Sequence, residues 1–281
     1  MNDQPSSVTI NERQRELLDG ARRFPYKELE SGGALDLHIF SPPGGGSARP
    51  AIVFFFGGGF WERGELSQFA PQCLHFVERG MVAILADYRL GRERGATPLD
   101  GLEDARDAVA WICANARQLG IDRAKLVLAG ASSGAHVFLA AALDPDRELA
   151  TEPAAMVLFS PIVNVVRDGV IDRFGDKRTA KSVSPLHQVR KQLPPMVLFH
   201  AGDDRFQPVA EVEAFAKRMS KKKNRCELHV FNGECSSFFN LNVNANLYEA
   251  TLNIADDFLV SVGVLESTTD GGSTTRLESW R

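Results

Sequence analysis

Leu126-Val127-Leu128-Ala129-Gly130-Ala131-Ser132-Ser133-Gly134-Ala135-His136 decides how the rest of this 281-residue chain is read. An uninterrupted apolar run meets a Gly-x-Ser-x-Gly turn and passes into a stretch with helical spacing. That order describes a buried strand feeding a helix through a sharp bend, which lifts a serine hydroxyl clear of the sheet. Glycine is required at 130 and 134 because side chains there would collide with neighbouring backbone. Ser132 is therefore a candidate nucleophile, and a serine hydroxyl attacks only when a base takes its proton.

Working outward, short β-rich runs alternate with longer helical stretches. Ala51–Phe56, Met81–Ala86, Lys125–Ala129, Ala154–Phe159, Met196–His200 and Arg225–Phe231 read as strands. All but the last are nearly continuous apolar runs, as expected of strands buried on both faces. Leu35–Phe40 alternates and reads as an antiparallel edge strand. Leu66–Arg79, Leu99–Leu119, Ser133–Ala142, Val209–Ser220 and Ala245–Val262 carry helical spacing; Leu102, Ala105, Val109, Ile112 and Ala116 share one helix face. The pattern predicts an α/β fold with a mostly parallel central sheet covered by helices on both faces.

Residues 163–191 break the rhythm with charges and little periodicity. They read as a small insertion over the carboxyl edge of the sheet, either a surface excursion or a lid that shapes a pocket. Residues 1–21 read as an N-terminal extension with one short helix, 22–266 as a single domain, and 267–281 as a disordered tail rich in Ser, Thr and Gly.

Composition narrows the function classes. Hydrophobic residues make up 44%, charged residues 24%, and the net charge is -4, ordinary for a globular protein and without the basic stripe of a nucleic-acid binder. No apolar run reaches the length needed to span a bilayer, and the first residues lack a signal-peptide pattern, so a cytoplasmic location is expected and no membrane partner. The four cysteines are scattered, which argues against disulfides and a zinc site. No dinucleotide fingerprint, phosphate loop or metal-ligand spacing is present, and no cofactor is expected. The oligomeric state is left open.

Phe54-Phe55-Phe56-Gly57-Gly58-Gly59-Phe60-Trp61 ends the first long buried strand. Three glycines there leave backbone N–H groups free to point at a developing oxyanion. Combined with a downstream Gly-x-Ser-x-Gly, this resembles the α/β-hydrolase superfamily, in the esterase/lipase branch with a His-Gly-Gly-Gly oxyanion motif (acetyl-esterase-like and carboxylesterase-like proteins). The resemblance covers roughly residues 35–262. It implies Ser132 as nucleophile and the N–H groups of Gly57, Gly58 and Ser133 as oxyanion donors. His200-Ala201-Gly202-Asp203-Asp204-Arg205-Phe206-Gln207-Pro208 resembles the segment that carries the family's acid and aligns Asp204 with it. Asp203 is the neighbour that a one-residue slip would select, and either aspartate could instead cap the following helix.

The chain departs from the family at two places. The first histidine of the oxyanion motif is Phe56. The catalytic histidine, expected in a loop reading like Gly-x-Gly-His-x-Phe-Phe-Asn, falls on Gly233-Glu234-Cys235-Ser236-Ser237-Phe238-Phe239-Asn240, with Ser236 in its place. A hydroxyl is far too weak a base near neutral pH, and removing the base from a serine triad costs on the order of 10⁶ in turnover. Of the six histidines, His187, near the end of the insertion, is the best candidate for a substitute base. Phe60, Trp61 and Phe238 flank the expected pocket and suggest an apolar or aromatic small-molecule ligand, or else serve as core aromatics supporting the loops.

Three readings follow. The first is an ester hydrolase acting on a small carboxylic ester through Ser132 with a non-standard base or one supplied by the substrate. The second is a non-hydrolytic enzyme on the same scaffold, such as a dehydratase or cyclase. The third is a ligand-binding pseudoenzyme. The first leads because Ser132, the Gly57–Gly59 loop and Asp204 are all present.

Overall fold

The apolar runs form strands buried on both faces. The computed structural model describes residues 12–44, 46, 48–60, 64–90 and 96–267. Its strands are β1 (Arg22–Glu28), β2 (Ala34–Phe40), β3 (Arg49–Phe55), β4 (Val82–Ala86), β5 (Ile121–Ala131), β6 (Ala155–Phe159), β7 (Met196–Ala201) and β8 (Cys226–Phe231). They make one sheet in the order β1-β2-β4-β3-β5-β6-β7-β8. β1–β2 and β2–β4 pair antiparallel, and every other pairing is parallel. The predicted architecture is the observed one.

The helices are α1 (Glu12–Glu16), α2 (Ala70–Glu78), α3 (Pro98–Leu119), α4 (Ser132–Leu143), α5 (Lys177–Ser182), α6 (Pro185–Gln188), α7 (Val209–Lys221) and α8 (Ala245–Ser261). Successive strand residues point to opposite faces. Val53, Phe55, Leu126, Leu128, Met156 and Leu198 pack with α3, α4 and α7. Ile52, Phe54, Val127, Ala129, Val157 and Phe199 pack with α2 and α8 on the other side. The predicted face of α3, from Leu102 to Ala116, lies in the first of these cores. A capping box between Thr97 and Asp100 starts α3, and Gly120 at φ +71° ends it.

Four elements differ from the sequence reading. The strand expected at the edge, Leu35–Phe40, is antiparallel but lies inside the sheet, with β2 paired to β1 on one side and β4 on the other. β5 starts at Ile121, ahead of the expected Lys125, with Arg123 and Ala124 exposed. The predicted helix 66–79 splits into a 3₁₀ turn, Leu66–Phe69, and α2, with Pro71 in the first turn of α2. β1 was not expected: Arg-Arg-Phe-Pro-Tyr-Lys-Glu has no apolar alternation, because this strand lies at the sheet edge with mostly exposed or half-buried residues. Pro25 is tolerated at an edge, where its missing N–H breaks no inner ladder, and the register shifts between Pro25 and Lys27.

The insertion after β6 contains a 3₁₀ turn, Ile171–Phe174, followed by α5 and α6. It builds a third, smaller core of Ile162, Val165, Val170, Phe174 and Ala180 around Phe60. Among the described residues, no helix is long and apolar enough to cross a membrane.

Candidate functional site

β5 delivers Ser132 to the carboxyl edge of the sheet as the first residue of α4, with φ at +50°. A non-glycine residue in this left-handed region is held there against a local cost of about 1–3 kcal/mol. The surrounding glycines show what holds it. A Cβ on Gly134 would lie 2.2 Å from the Phe56 carbonyl oxygen, and one on Gly130 would lie 2.5 Å from that of Phe55. The end of β3 thus presses directly on the bend, and only hydrogen fits at both positions.

The Gly57–Gly59 loop runs beside the serine, with a Cβ built on Gly57 falling 3.4 Å from the Cβ of Ser132. The Gly57 N–H, however, donates to Gln68 Oε1 at 2.7 Å. It is therefore spent, and the expectation that Gly57 offers an oxyanion donor is corrected here. The N–H of Ser133, in the first turn of α4, has no intrahelical acceptor. Those of Gly58 and Gly59 have no acceptor among the described residues. Beneath the loop, Tyr88 donates its hydroxyl hydrogen to the Phe56 carbonyl at 2.7 Å.

Gln68 is a residue that sequence reading missed. Its amide also donates to Asn240 Oδ1 at 3.3 Å, and Asn240 Nδ2 donates to the Ser237 carbonyl at 3.0 Å. One buried side chain thus ties the glycine loop to the loop carrying Ser236. Nearby, Gln72 donates to the Phe239 carbonyl at 3.4 Å. Partners 172 residues apart leave no local signal in a sequence.

Asp204 follows β7. Its Oδ1 accepts the N–H groups of Phe206 and Gln207, both at 2.9 Å, while Asp203 is exposed. One carboxylate oxygen is fixed by two backbone N–H groups, and the carboxylate's charge acts on the neighbouring His200, opposing the lowering of that ring's pKa by burial. Ser236 is half-buried in the loop after β8, and β7 and β8 are adjacent, with Ala201 opposite Phe231. Cys235 beside it is exposed, its Sγ 3.4 Å from Ser237 Oγ.

A second strained residue lies alongside. Ser160, at the end of β6, has φ +40° and a buried hydroxyl without a hydrogen bond. Two residues on, the Ile162 N–H donates to the Ser132 carbonyl at 3.4 Å.

No histidine reaches Ser132. His187 is exposed on α6, with Nδ1 3.0 Å from Ser184 Oγ. Burial of part of the ring and the nearby Arg218 and Lys181 push its pKa down. Arg218, which donates to the Leu186 carbonyl, lies nine residues into α7, about 13 Å along the helix from the sheet's carboxyl edge. His187 thus makes its contacts with Ser184 and the cations of α5 and α7, and no hydrogen bond with Ser132.

Four of the other five rings have partners elsewhere. His136 is fully buried and donates Nε2–H to the Val183 carbonyl at 3.0 Å. Desolvation lowers its pKa to about 4, so it stays neutral near neutral pH. His200 donates Nε2–H to the Gln207 carbonyl at 2.8 Å, and burial lowers its pKa as well. His229 stacks on Phe199, His75 lies 3.6 Å from Asp256, and His38 is in the ladder of β2.

The expected ligand contacts are also revised. Phe238 is fully buried, tilted on Phe231 at 4.8 Å and edge-on to Phe239, which itself stacks on Phe69. It is a core aromatic. Phe60 is buried too, edge-on to His136 and Phe174 under the insertion, and its carbonyl accepts a hydrogen bond from Arg173. Trp61 lies outside the described residues.

Comparison with known proteins places this geometry in a family. The BD-FAE family model matches residues 37–177, from β2 through the elbow and into the insertion. The chain belongs to the BD-FAE family. Within the α/β-hydrolase esterase/lipase superfamily, this BD-FAE member is similar to a solved Thermogutta terrifontis esterase 2, phosphoramylated by tabun. Identity is 38%, coverage is 89% of this chain and 98% of that one, and the TM-score is 0.83. It is also 27% identical over 60% of its length to a probable carboxylic ester hydrolase, LipM, of Mycobacterium tuberculosis, covering 44% of that protein. It is 23% identical over 70% of its length to the isoprenylcysteine alpha-carbonyl methylesterase ICME of Arabidopsis thaliana, covering 52% of it. The chain spans about a third to a half of the length of the curated relatives it matches.

Proposed function

We propose that the protein is a carboxylic-ester hydrolase that uses Ser132 as nucleophile on a small ester, with a base other than a triad histidine. The observation that carries this is the strained Ser132 at φ +50°, wedged between Gly57 and the end of β3 by glycines that admit no Cβ. Ser133 and Gly58 supply the N–H donors for the oxyanion, Asp204 occupies the acid position, and residues 163–191 act as the lid over one domain, 22–266. Supporting this reading, the similar esterase from Thermogutta terrifontis is phosphorylated by paraoxon and binds propionate.

The test is hydrolysis of p-nitrophenyl acetate by the wild type and Ser132→Ala side by side. Turnover that disappears in the variant supports the assignment; equal, near-background rates in both contradict it. A second reading, a non-hydrolytic enzyme or ligand-binding protein on this scaffold, is favoured by the contacts that five of the six histidine rings make with residues other than Ser132. Saturable binding of a small ligand with no change to an ester would select it.

A further inference from the structure

We infer that the substrate brings the missing base: an ester whose acyl part carries a basic nitrogen, seated among Ser132, Asp204 and Ser236. This rests on the hydrolase reading and names the substrate class for the same site. Three observations carry it. No histidine is hydrogen-bonded to Ser132: the rings of His136, His187 and His200 bond to Val183, Ser184 and Gln207, and those of His75 and His229 lie against Asp256 and Phe199. Asp204 is oriented, with Oδ1 fixed by two backbone N–H groups and Oδ2 in no hydrogen bond among the described residues. A half-buried carboxylate so held suits a protonated nitrogen as its partner.

The third observation is that the loop carrying Ser236 is tied down by side chains around it. Ser236 presents one hydroxyl where the family pattern has a ring, yet Gln68–Asn240, Asn240–Ser237 and Gln72–Phe239 hold that loop to the glycine loop and α2. A substrate nitrogen therefore meets a formed site.

Proton bookkeeping fixes where the nitrogen belongs. In acylation its lone pair takes the Ser132 hydroxyl proton as Oγ bonds to the acyl carbon, and the ammonium rests against Asp204. Collapse of the tetrahedral oxyanion breaks the ester C–O bond, and the leaving alcohol takes that proton. In deacylation the nitrogen takes a proton from water as hydroxide bonds to the acyl carbon. The C–Oγ bond then breaks and Oγ regains the proton. A nitrogen on the alcohol would depart after the first half, leaving deacylation without a base, so it must lie on the acyl side.

The experiment compares kcat/KM for p-nitrophenyl 4-(dimethylamino)butyrate and its carbon isostere, p-nitrophenyl 5-methylhexanoate, each corrected for the Ser132→Ala rate. A positioned general base is worth about 10²–10⁴, so the amine ester is expected to be preferred by at least about 100-fold. The preference should grow as pH rises through the amine pKa and shrink in Asp204→Asn. Equal rates on the two esters, with Ser236→His hydrolysing the carbon ester well, would overturn the inference and leave the hydrolase reading standing. Inactivity of both wild type and Ser236→His on both esters would overturn the two together.

Discussion

His136 shows how a single buried ring shapes behaviour without touching the reaction. Its Nε2–H is bonded to Val183 and its Nδ1 is buried without a partner, so the folded protein holds the ring neutral down to about pH 4. The unfolded chain protonates it near the ordinary value of about 6.5. Because the folded pKa is depressed, the contribution is complete above about 6.5 and is lost progressively as pH falls toward about 4, amounting to roughly 3 kcal/mol. Urea titrations across this window should show stability falling with acid, and His136→Gln should flatten that part of the slope. Gln68→Leu strips the partners from the Gly57 N–H and Asn240 Oδ1, costing about 1–3 kcal/mol for each group left buried and unpaired. The midpoint in urea should drop accordingly; an unchanged midpoint would contradict the bridging role.

Elements meet most tightly where β3 crosses the β5–α4 bend. Gly134→Ala places a methyl 2.2 Å from a backbone oxygen, which cannot yield as a side-chain tip would. We expect loss of cooperative folding or a fall of several kcal/mol, read by thermal melts. Thr97→Ala removes the side-chain cap of α3 and should cost about 1 kcal/mol. The same elements explain what a sequence can reveal. β3, β4, β6, β7 and the second half of β5 were legible because a strand buried on both faces must be apolar throughout, and the bend because only glycine fits its flanks. The start of β5, residues 121–124, is exposed at Arg123 and Ala124 and carries no such pattern. β1 was illegible because an exposed edge imposes no pattern. Phe238 misled because an aromatic beside a functional loop can face ligand or core, and long-range packing under Phe231 decides for core. The engagement of Gly57 by Gln68 depended on a partner in another element.

At the scale of the whole molecule, two cores fix the sheet and a third, around Phe60 and Phe174, joins the insertion to the glycine loop. Under the proposed function, Ser236 replaces the proton acceptor of a triad within this esterase/lipase frame. If that replacement is all that separates this site from ordinary triad hydrolysis, returning the imidazole should restore it. The decisive measurement is p-nitrophenyl acetate turnover by Ser236→His, with and without Ser132→Ala. Ser132 as nucleophile and Asp204 as acid predict a gain of about 10²–10⁴ over wild type that vanishes in the double variant. A folded Ser236→His protein with no gain, or a gain that survives loss of Ser132, would contradict the assignment.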